Sequence, residues 1–346
     1  MKKTGVRELA VLSRQLATMI RAGIPLLQCL NILIKQSENN TLSVALAQVS
    51  EDLANGLSFG DALREHPKVF PSLFVSMVKS GERSGTLELV FHQLGRNLQK
   101  EWELAAKIKS ALLYPAAIVL VSIISVLILL LFVVPQFAMI FSGMTVTLPL
   151  VTRLLIGVSN GFRDYWYILL LSGAIVVLII VRFMKSERGQ VFRDRLIFRV
   201  PLFGELAHKI IIMRFCRSLS SLLQAGISVL SALELVRGIT GNRLITDSIR
   251  SAEDSIREGS GLAAPLGGNG LFPPLVVNMI AVGEETGAVD VMLEQTAGFY
   301  EQEAEEMATR LTSLIEPVLI TGVGCFVAFI VLSIMLPVFT IINHLE

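Results

Sequence analysis

Two acidic side chains, Glu82 and Glu284, sit in stretches of one pattern: KSGERSGTLELVFHQ from Lys79 and AVGEETGAVDVMLEQ from Ala281. A carboxylate placed between glycines can accept hydrogen bonds locally at a tight helix junction, or it can present charge on an exposed docking loop. The apolar stretches SLFVSMVKSG and PLVVNMIAVG predict helices ending at Gly81 and Gly283. Ser84 and Thr286 would then cap the next helices, and Gly85 and Gly287 would allow tight approach. Glu88 and Asp290 would favour the positive ends of those next helices. On the docking reading the acidic candidates are Glu82, Glu284 and Glu285, and the basic ones Arg83, Arg64 and Lys68.

Other chemistries find less support. Cys29, Cys216 and Cys325 are scattered without metal-ligand spacing, and His66, His92, His208 and His344 are isolated, so neither a metal nor a cofactor is expected. No Gly-x4-Gly-Lys-(Ser/Thr) loop occurs, so any ATP would be used by a partner.

The elements that carry these residues lie beside a membrane. Of the 346 residues 53% are hydrophobic and only 17% charged, too apolar for an ordinary soluble chain. No charged side chain falls between Ser110 and Thr152, and ALLYPAAIVLVSIISVLILLLFVV is long enough to cross a bilayer. A second charge-free run, Tyr165 to Val181, is at the short end of the spanning range, where a buried core helix is the alternative. The third runs from Pro317 to Leu345. The spans carry no Asp, Glu or His, which disfavours a transport pathway or an intramembrane enzyme. Gly322 and Gly324 suit close helix packing instead.

Basic residues set the orientation. Residues 1–112 carry 14 Lys and Arg, residues 135–164 carry 2, residues 182–317 carry 14, and the tail after Leu336 carries none. The flanking cations Lys100, Lys107, Lys109, Arg182, Lys185 and Arg188 agree with these totals, placing the N-terminus in the cytoplasm and the C-terminus outside. The charges at Arg7, Glu8 and Arg14 break what would have to be the apolar core of a signal peptide, so insertion is expected to rely on the internal helices.

The chain is internally duplicated. SRQLATMIRAGIPLLQCL from Ser13 aligns with CRSLSSLLQAGISVLSAL from Cys216 at an offset of 203, which also superposes Gly56 on Gly259. After a one-residue deletion the offset is 202, pairing Phe70-Pro71 with Phe272-Pro273, Gly81-Glu82 with Gly283-Glu284, Pro115 with Pro317 and Pro135 with Pro337. The unit duplicated is a cytoplasmic domain followed by one membrane helix, and the unduplicated second span returns the chain to the cytoplasm. Apolar residues recur at spacings of three and four, as at Leu9, Leu12, Leu16, Met19 and Ile20, which predicts helices throughout.

The fold expected is therefore an all-α membrane protein with two homologous cytoplasmic helical-bundle domains and three transmembrane helices. The boundaries are a first repeat over 1–110, a span over 111–136, an extracytoplasmic loop over 137–164 and a span over 165–182. A second repeat over 183–316, a span over 317–340 and an outer tail over 341–346 follow. The acidic run EQEAEEM from Glu301 is read as a solvated helical face before the membrane.

The doubled Gly-Glu-x-(Ser/Thr)-Gly pattern, LATMIRAGIPLLQCL, the LLYP sequence containing Tyr114 and Pro115, and the IEP sequence containing Glu316 and Pro317 resemble one known family. It is the GspF/PilC family of inner-membrane platform proteins of type II secretion and type IV pilus systems, and the resemblance runs from about Glu8 to Phe339. Many members carry a longer segment before the first repeat, which here begins almost at once. The resemblance implies a scaffold and not an enzyme, without cofactor or nucleic acid, in the bacterial inner membrane. It implies contacts with a cytoplasmic hexameric assembly ATPase, with pilin or pseudopilins and with other inner-membrane assembly proteins, and self-association as a homo-oligomer. Its motif residues, and the candidate partner contacts here, are Gly81, Glu82, Arg83, Gly85, Gly283, Glu284, Glu285 and Gly287, with Tyr114, Pro115, Glu316 and Pro317 at the membrane entrance.

Overall fold

The computed structural model describes residues 4–142, 149–186, 189, 202–238, 242–268 and 270–345. Arg188, residues 143–148 of the expected loop, residues 190–201 of the second repeat and Glu346 lie outside the described residues. The chain forms two compact units, one of residues 1–108 with 197–307 and one of residues 109–196 with 308–346.

In the first unit the duplication is visible helix by helix. The first copy runs α1 (Val6–Arg21), α2 (Leu26–Gln36), α3 (Asn40–Ala54), α4 (Phe59–Arg64), α5 (Ser72–Ser84) and the start of α6 (Leu87–Ile128). In the second unit a π turn over Leu129–Val133 leads into α7 (Val134–Ser142), and α8 (Leu150–Lys185) follows. The second copy repeats the order with α9 (Phe203–Gln224), α10 (Val229–Arg237), α11 (Arg243–Arg257), α12 (Ala263–Gly267), α13 (Pro274–Thr286) and α14 (Val289–Leu345). Among the described residues no strand occurs.

The local causes repeat too. Asn39 and Asn242 cap α3 and α11 by accepting hydrogen bonds from backbone N–H groups of Thr41 and of Leu244 and Ile245. The cores differ in content at equivalent positions. The first copy packs rings of Phe59, Phe74 and Phe91 at centroid separations near 6 Å, where the second has Leu262, Val276 and Leu293, all buried. The second copy regains volume with Phe215, 4.9 Å from Phe272, where the first has Leu12.

The second unit contains the apolar helices. α6 with the following turn, and α14, are each long and apolar enough to cross a membrane; α8 provides a third span if its two parts, bent by 63°, count as one. The bend lies near Tyr165, whose backbone leaves helical geometry (φ −119°, ψ 19°). The expected boundaries at 110/111 and 316/317 fall inside the continuous helices α6 and α14, within which Pro115 and Pro317 also lie. The segment 137–164, expected as a loop, is helical at 137–142 and again from Leu150. Leu155 of that second stretch is buried with Leu130, Val134, Ile330 and Ile334, so packing orders it.

Prolines within these helices each withhold an N–H and orphan one carbonyl. Neighbouring hydroxyls answer three of them. Thr312 donates to Ala111 O, four residues before Pro115 (3.3 Å), and Thr152 donates to Ser333 O, four before Pro337 (2.6 Å). Around Pro135 the helix has slipped to π geometry, so the carbonyl left without its partner is that of Leu130, five residues back. Ser159 donates to it. In lipid, where water is absent, such substitution is what permits proline inside a span.

Candidate interaction site

Glu82 and Glu284 perform the same task at equivalent places. The Glu82 carboxylate accepts hydrogen bonds from the backbone N–H groups of Phe59 (2.7 Å) and Gly60 (2.9 Å), at the start of α4. Glu284 accepts those of Leu262 and Ala263, 203 residues further on, at the start of α12. Each carboxylate thus satisfies N–H groups that a helix N-terminus leaves unpaired. Gly261, which replaces Ser58, leaves room for this: a Cβ there would meet both Glu284 oxygens at 3.0 Å.

The glycines of the pattern exchange the roles the sequence suggests. α5 and α13 do not end at Gly81 and Gly283 but continue to Ser84 and Thr286. Gly85 and Gly287 terminate them in left-handed conformation, φ 72° and 70°. Gly81 and Gly283 are the close-approach positions: an added Cβ would lie 2.7 Å from Val90 Cγ2 in the first case and 2.7 Å from Val289 Cα in the second. Ser84 and Thr286 do not cap the following helices; their hydroxyls turn back onto Ser80 O and Val282 O. Arg83 and Glu285 are exposed beside these turns. Lys68 is exposed as well, and Arg64 pairs with Asp61 at 3.2 Å.

At the membrane-entry motif Tyr114 Oη donates to Glu316 Oε1 (3.1 Å), two residues that occupy the same position in the two copies.

The two copies meet through charges that the sequence reading left in solvent. Arg96 and Lys100 of α6 reach Glu294 of α14, Lys100 also reaches Glu301, and Lys107 pairs with Glu305 at 2.6 Å. Arg214 of α9 pairs with Glu101 of α6 at 3.0 Å, while within the second copy Lys209 of α9 pairs with Glu303 of α14 at 2.7 Å. The EQEAEEM run is thereby corrected from a solvated face to a partly ion-paired one, because it faces the cations of α6 and α9. Its deepest member is Glu301, 2.8 Å from the buried Arg217. Burial pushes the thiols of Cys216 and Cys29 up, which keeps them protonated and unreactive.

The sequence profile of the family described as Type II secretion system (T2SS), protein F matches residues 12–135 and again residues 215–337. The chain belongs to this family. The two matched segments are the two copies, each a helical domain with its following apolar helix. A type IV pilus assembly protein PilC of Thermus thermophilus is 40% identical over 343 residues, covering 99% of this chain and 84% of the relative. In Pseudomonas aeruginosa a type IV pilus assembly protein PilC is 32% identical, covering 99% of this chain and 92% of the relative. A type II secretion system protein F of the same organism is 35% identical, covering 97% and 83%. Members of the family are thus components of both kinds of machinery, and the apolar helices here fit their place in the inner membrane.

Proposed function

We propose that this protein is the inner-membrane platform of a type IV pilus or type II secretion system, a scaffold without catalysis of its own. On this reading it couples a cytoplasmic hexameric assembly ATPase to the extraction of pilin or pseudopilin subunits from the bilayer and their addition to a filament. The observation that carries it is the family match over both copies, joined to similarity along nearly the whole chain with pilus and secretion proteins. The basic residues of both repeats favour a cytoplasmic N-terminus and an outer C-terminus. Two helical domains built as one ion-paired unit, each continuing into a membrane helix, suit a body that receives force on one side and passes it to helical subunits in lipid.

The candidate docking charges are Arg83, Glu284 and Glu285, which are exposed, and the carboxylates of Glu82 and Glu284 also accept the backbone N–H groups at the starts of α4 and α12. A strain lacking the gene tests the reading. It should retain pilin or pseudopilin in the membrane and assemble no filament, and the full chain should restore assembly. Normal filaments and normal secretion in the deletion strain would refute it. Glu82→Gln with Glu284→Gln separates the two roles of the turns, since loss of ATPase recovery from a chain of unchanged thermal midpoint would place the carboxylates themselves in the contact.

A further inference from the structure

A cavity of about 260 Å³ lies where the two copies meet, walled by α1, α5 and α6 of the first copy and by α9 of the second. Most of its wall is apolar, from Leu9, Phe74, Met77, Leu94, Leu98 and Met213. The polar members of the lining include Asn97, Arg217 and Ser221. Arg214 and Glu101, paired at 3.0 Å with side chains 48% and 37% exposed, form its solvent side.

Two polar atoms of this lining are left over. Asn97 Oδ1 and Arg217 Nε are buried and have no hydrogen-bond partner among the described residues. The other nitrogens are committed: Arg217 Nη2 donates to Glu301 (2.8 Å), Arg217 Nη1 faces Met213 Sδ (3.4 Å), and Asn97 Nδ2 donates to Ser221 Oγ. The Ser221 hydroxyl gives its own proton to Arg217 O (2.7 Å), so towards Asn97 it can only accept, which fixes Oδ1 as the free amide atom. A guanidinium stays protonated, so Nε is a donor at every working pH. Arg217 and Ser221 stand one turn apart on α9, which puts a free acceptor and a free donor on the same stretch of wall.

The chemistry of an occupant follows from these atoms. Each cation of the lining already has a carboxylate, Arg217 with Glu301 and Arg214 with Glu101, so an added anion would be uncompensated and would also face the Asn97 oxygen. An ammonium would face Arg217. A group that both donates and accepts while neutral, a hydroxyl or an amide, satisfies the pair. Water alone can serve the two polar atoms, but a water molecule needs two to four polar partners and the rest of the wall offers carbon. A cavity of roughly 150 Å³ holds a benzene, so this one has room for roughly ten non-hydrogen atoms.

We propose that this cavity is a binding site for a small neutral amphiphile, an alcohol or amide with an apolar body, whose head bridges Asn97 Oδ1 and Arg217 Nε. Because its wall comes from both copies, the bound molecule strengthens the contact between them. The inference rests on the cavity and not on the platform reading, so either stands if the other fails.

The full chain in lipid nanodiscs is titrated with para-fluorobenzyl alcohol and followed by fluorine NMR, with empty nanodiscs as the reference for partition into lipid. Saturable binding beyond that reference is expected, with a rise in thermal midpoint as the alcohol is added. para-Fluorotoluene, which keeps the ring and lacks the hydroxyl, should bind about tenfold more weakly, and para-fluorobenzoate should not bind. Leu98→Phe, which fills the cavity from α6, should abolish binding of the alcohol, and Asn97→Ala should weaken it to the level of para-fluorotoluene. No saturable binding to the parent chain would mean that water alone occupies the cavity and would overturn the proposal. Equal binding of all three probes, or an unchanged affinity for the alcohol in Asn97→Ala, would overturn it too.

Discussion

Thr152 donates its hydroxyl to the Ser333 carbonyl, the acceptor that Pro337 leaves without an N–H, and both residues are buried. Ser159 serves Leu130 in the same way beside Pro135. The helix bearing these two hydroxyls thus completes the backbone bonding of the two helices it packs against.

Thr152→Val keeps the shape and removes the donor, so the Ser333 carbonyl is left buried in an apolar setting. The cost expected is about 1 kcal/mol, and Ser159→Ala should cost about as much. Thermal unfolding of the purified protein in detergent measures both, and the double variant should be near the sum if the two bonds are independent.

Arg217 and Glu301 form a largely buried ion pair within the second copy, their side chains 6% and 17% exposed. Their equivalents in the first copy are Arg14, which is exposed, and Gln99. Glu301→Gln strands a buried guanidinium and should cost about 3 kcal/mol, whereas Arg14→Gln should cost less than about 0.5 kcal/mol. Equal midpoints for the two variants would contradict the assignment.

The glycine pairs separate by mechanism. Gly283→Ala drives a Cβ against the Val289 backbone, which cannot rotate away, and should destabilise by about 2 kcal/mol. Gly81→Ala meets the Val90 side chain and should cost less. Gly85→Ala and Gly287→Ala meet open space but carry the left-handed backbone, each costing about 1 kcal/mol. Asparagine, which tolerates that backbone, should recover much of the loss at 85 and 287 and none at 283.

Asp61 gives the first copy an acid-sensitive contact. Its hydrogen bonds from Lys79 (2.8 Å) and Ser58 hold the carboxyl down at about 2, against about 3.9 in an unfolded chain. A lowered folded value adds stability above about pH 4, and that contribution is lost as pH falls towards 2. Asp61→Asn should therefore flatten the stability profile between these values and lower the midpoint slightly at neutral pH. A variant profile parallel to that of the parent would refute the assignment. The second copy has Ala264 and Ala281 at these positions and offers no such response.

Much of the architecture was legible because duplication leaves a period that no single motif supplies. The offsets of 203 and 202 anticipate α3 against α11 and α5 against α13 to the residue. The turn at Gly81 to Gly85 was misread because sequence alone does not say which of two glycines has the left-handed backbone and which has a neighbour against its Cα. The same holds for Glu82 and Glu284, whose N–H donors lie over twenty residues upstream. Prolines 115 and 317 looked like boundaries; the hydroxyl that serves the Ala111 carbonyl comes from residue 312, about two hundred residues away. The ionic repeat contact did leave a trace. Cations at 96, 100 and 107 in one copy and acids at 294, 301 and 305 in the other are complementary, a signal visible only when the copies are read as partners and not as duplicates.

The platform reading is tested most directly by mild crosslinking in native membranes, solubilisation of the tagged chain and identification of its neighbours by mass spectrometry. Recovery of an assembly ATPase together with pilin-like subunits is the result predicted, and the accompanying proteins would assign it to pilus assembly or to secretion. Reproducible absence of both, with the chain intact and those genes expressed, would contradict it.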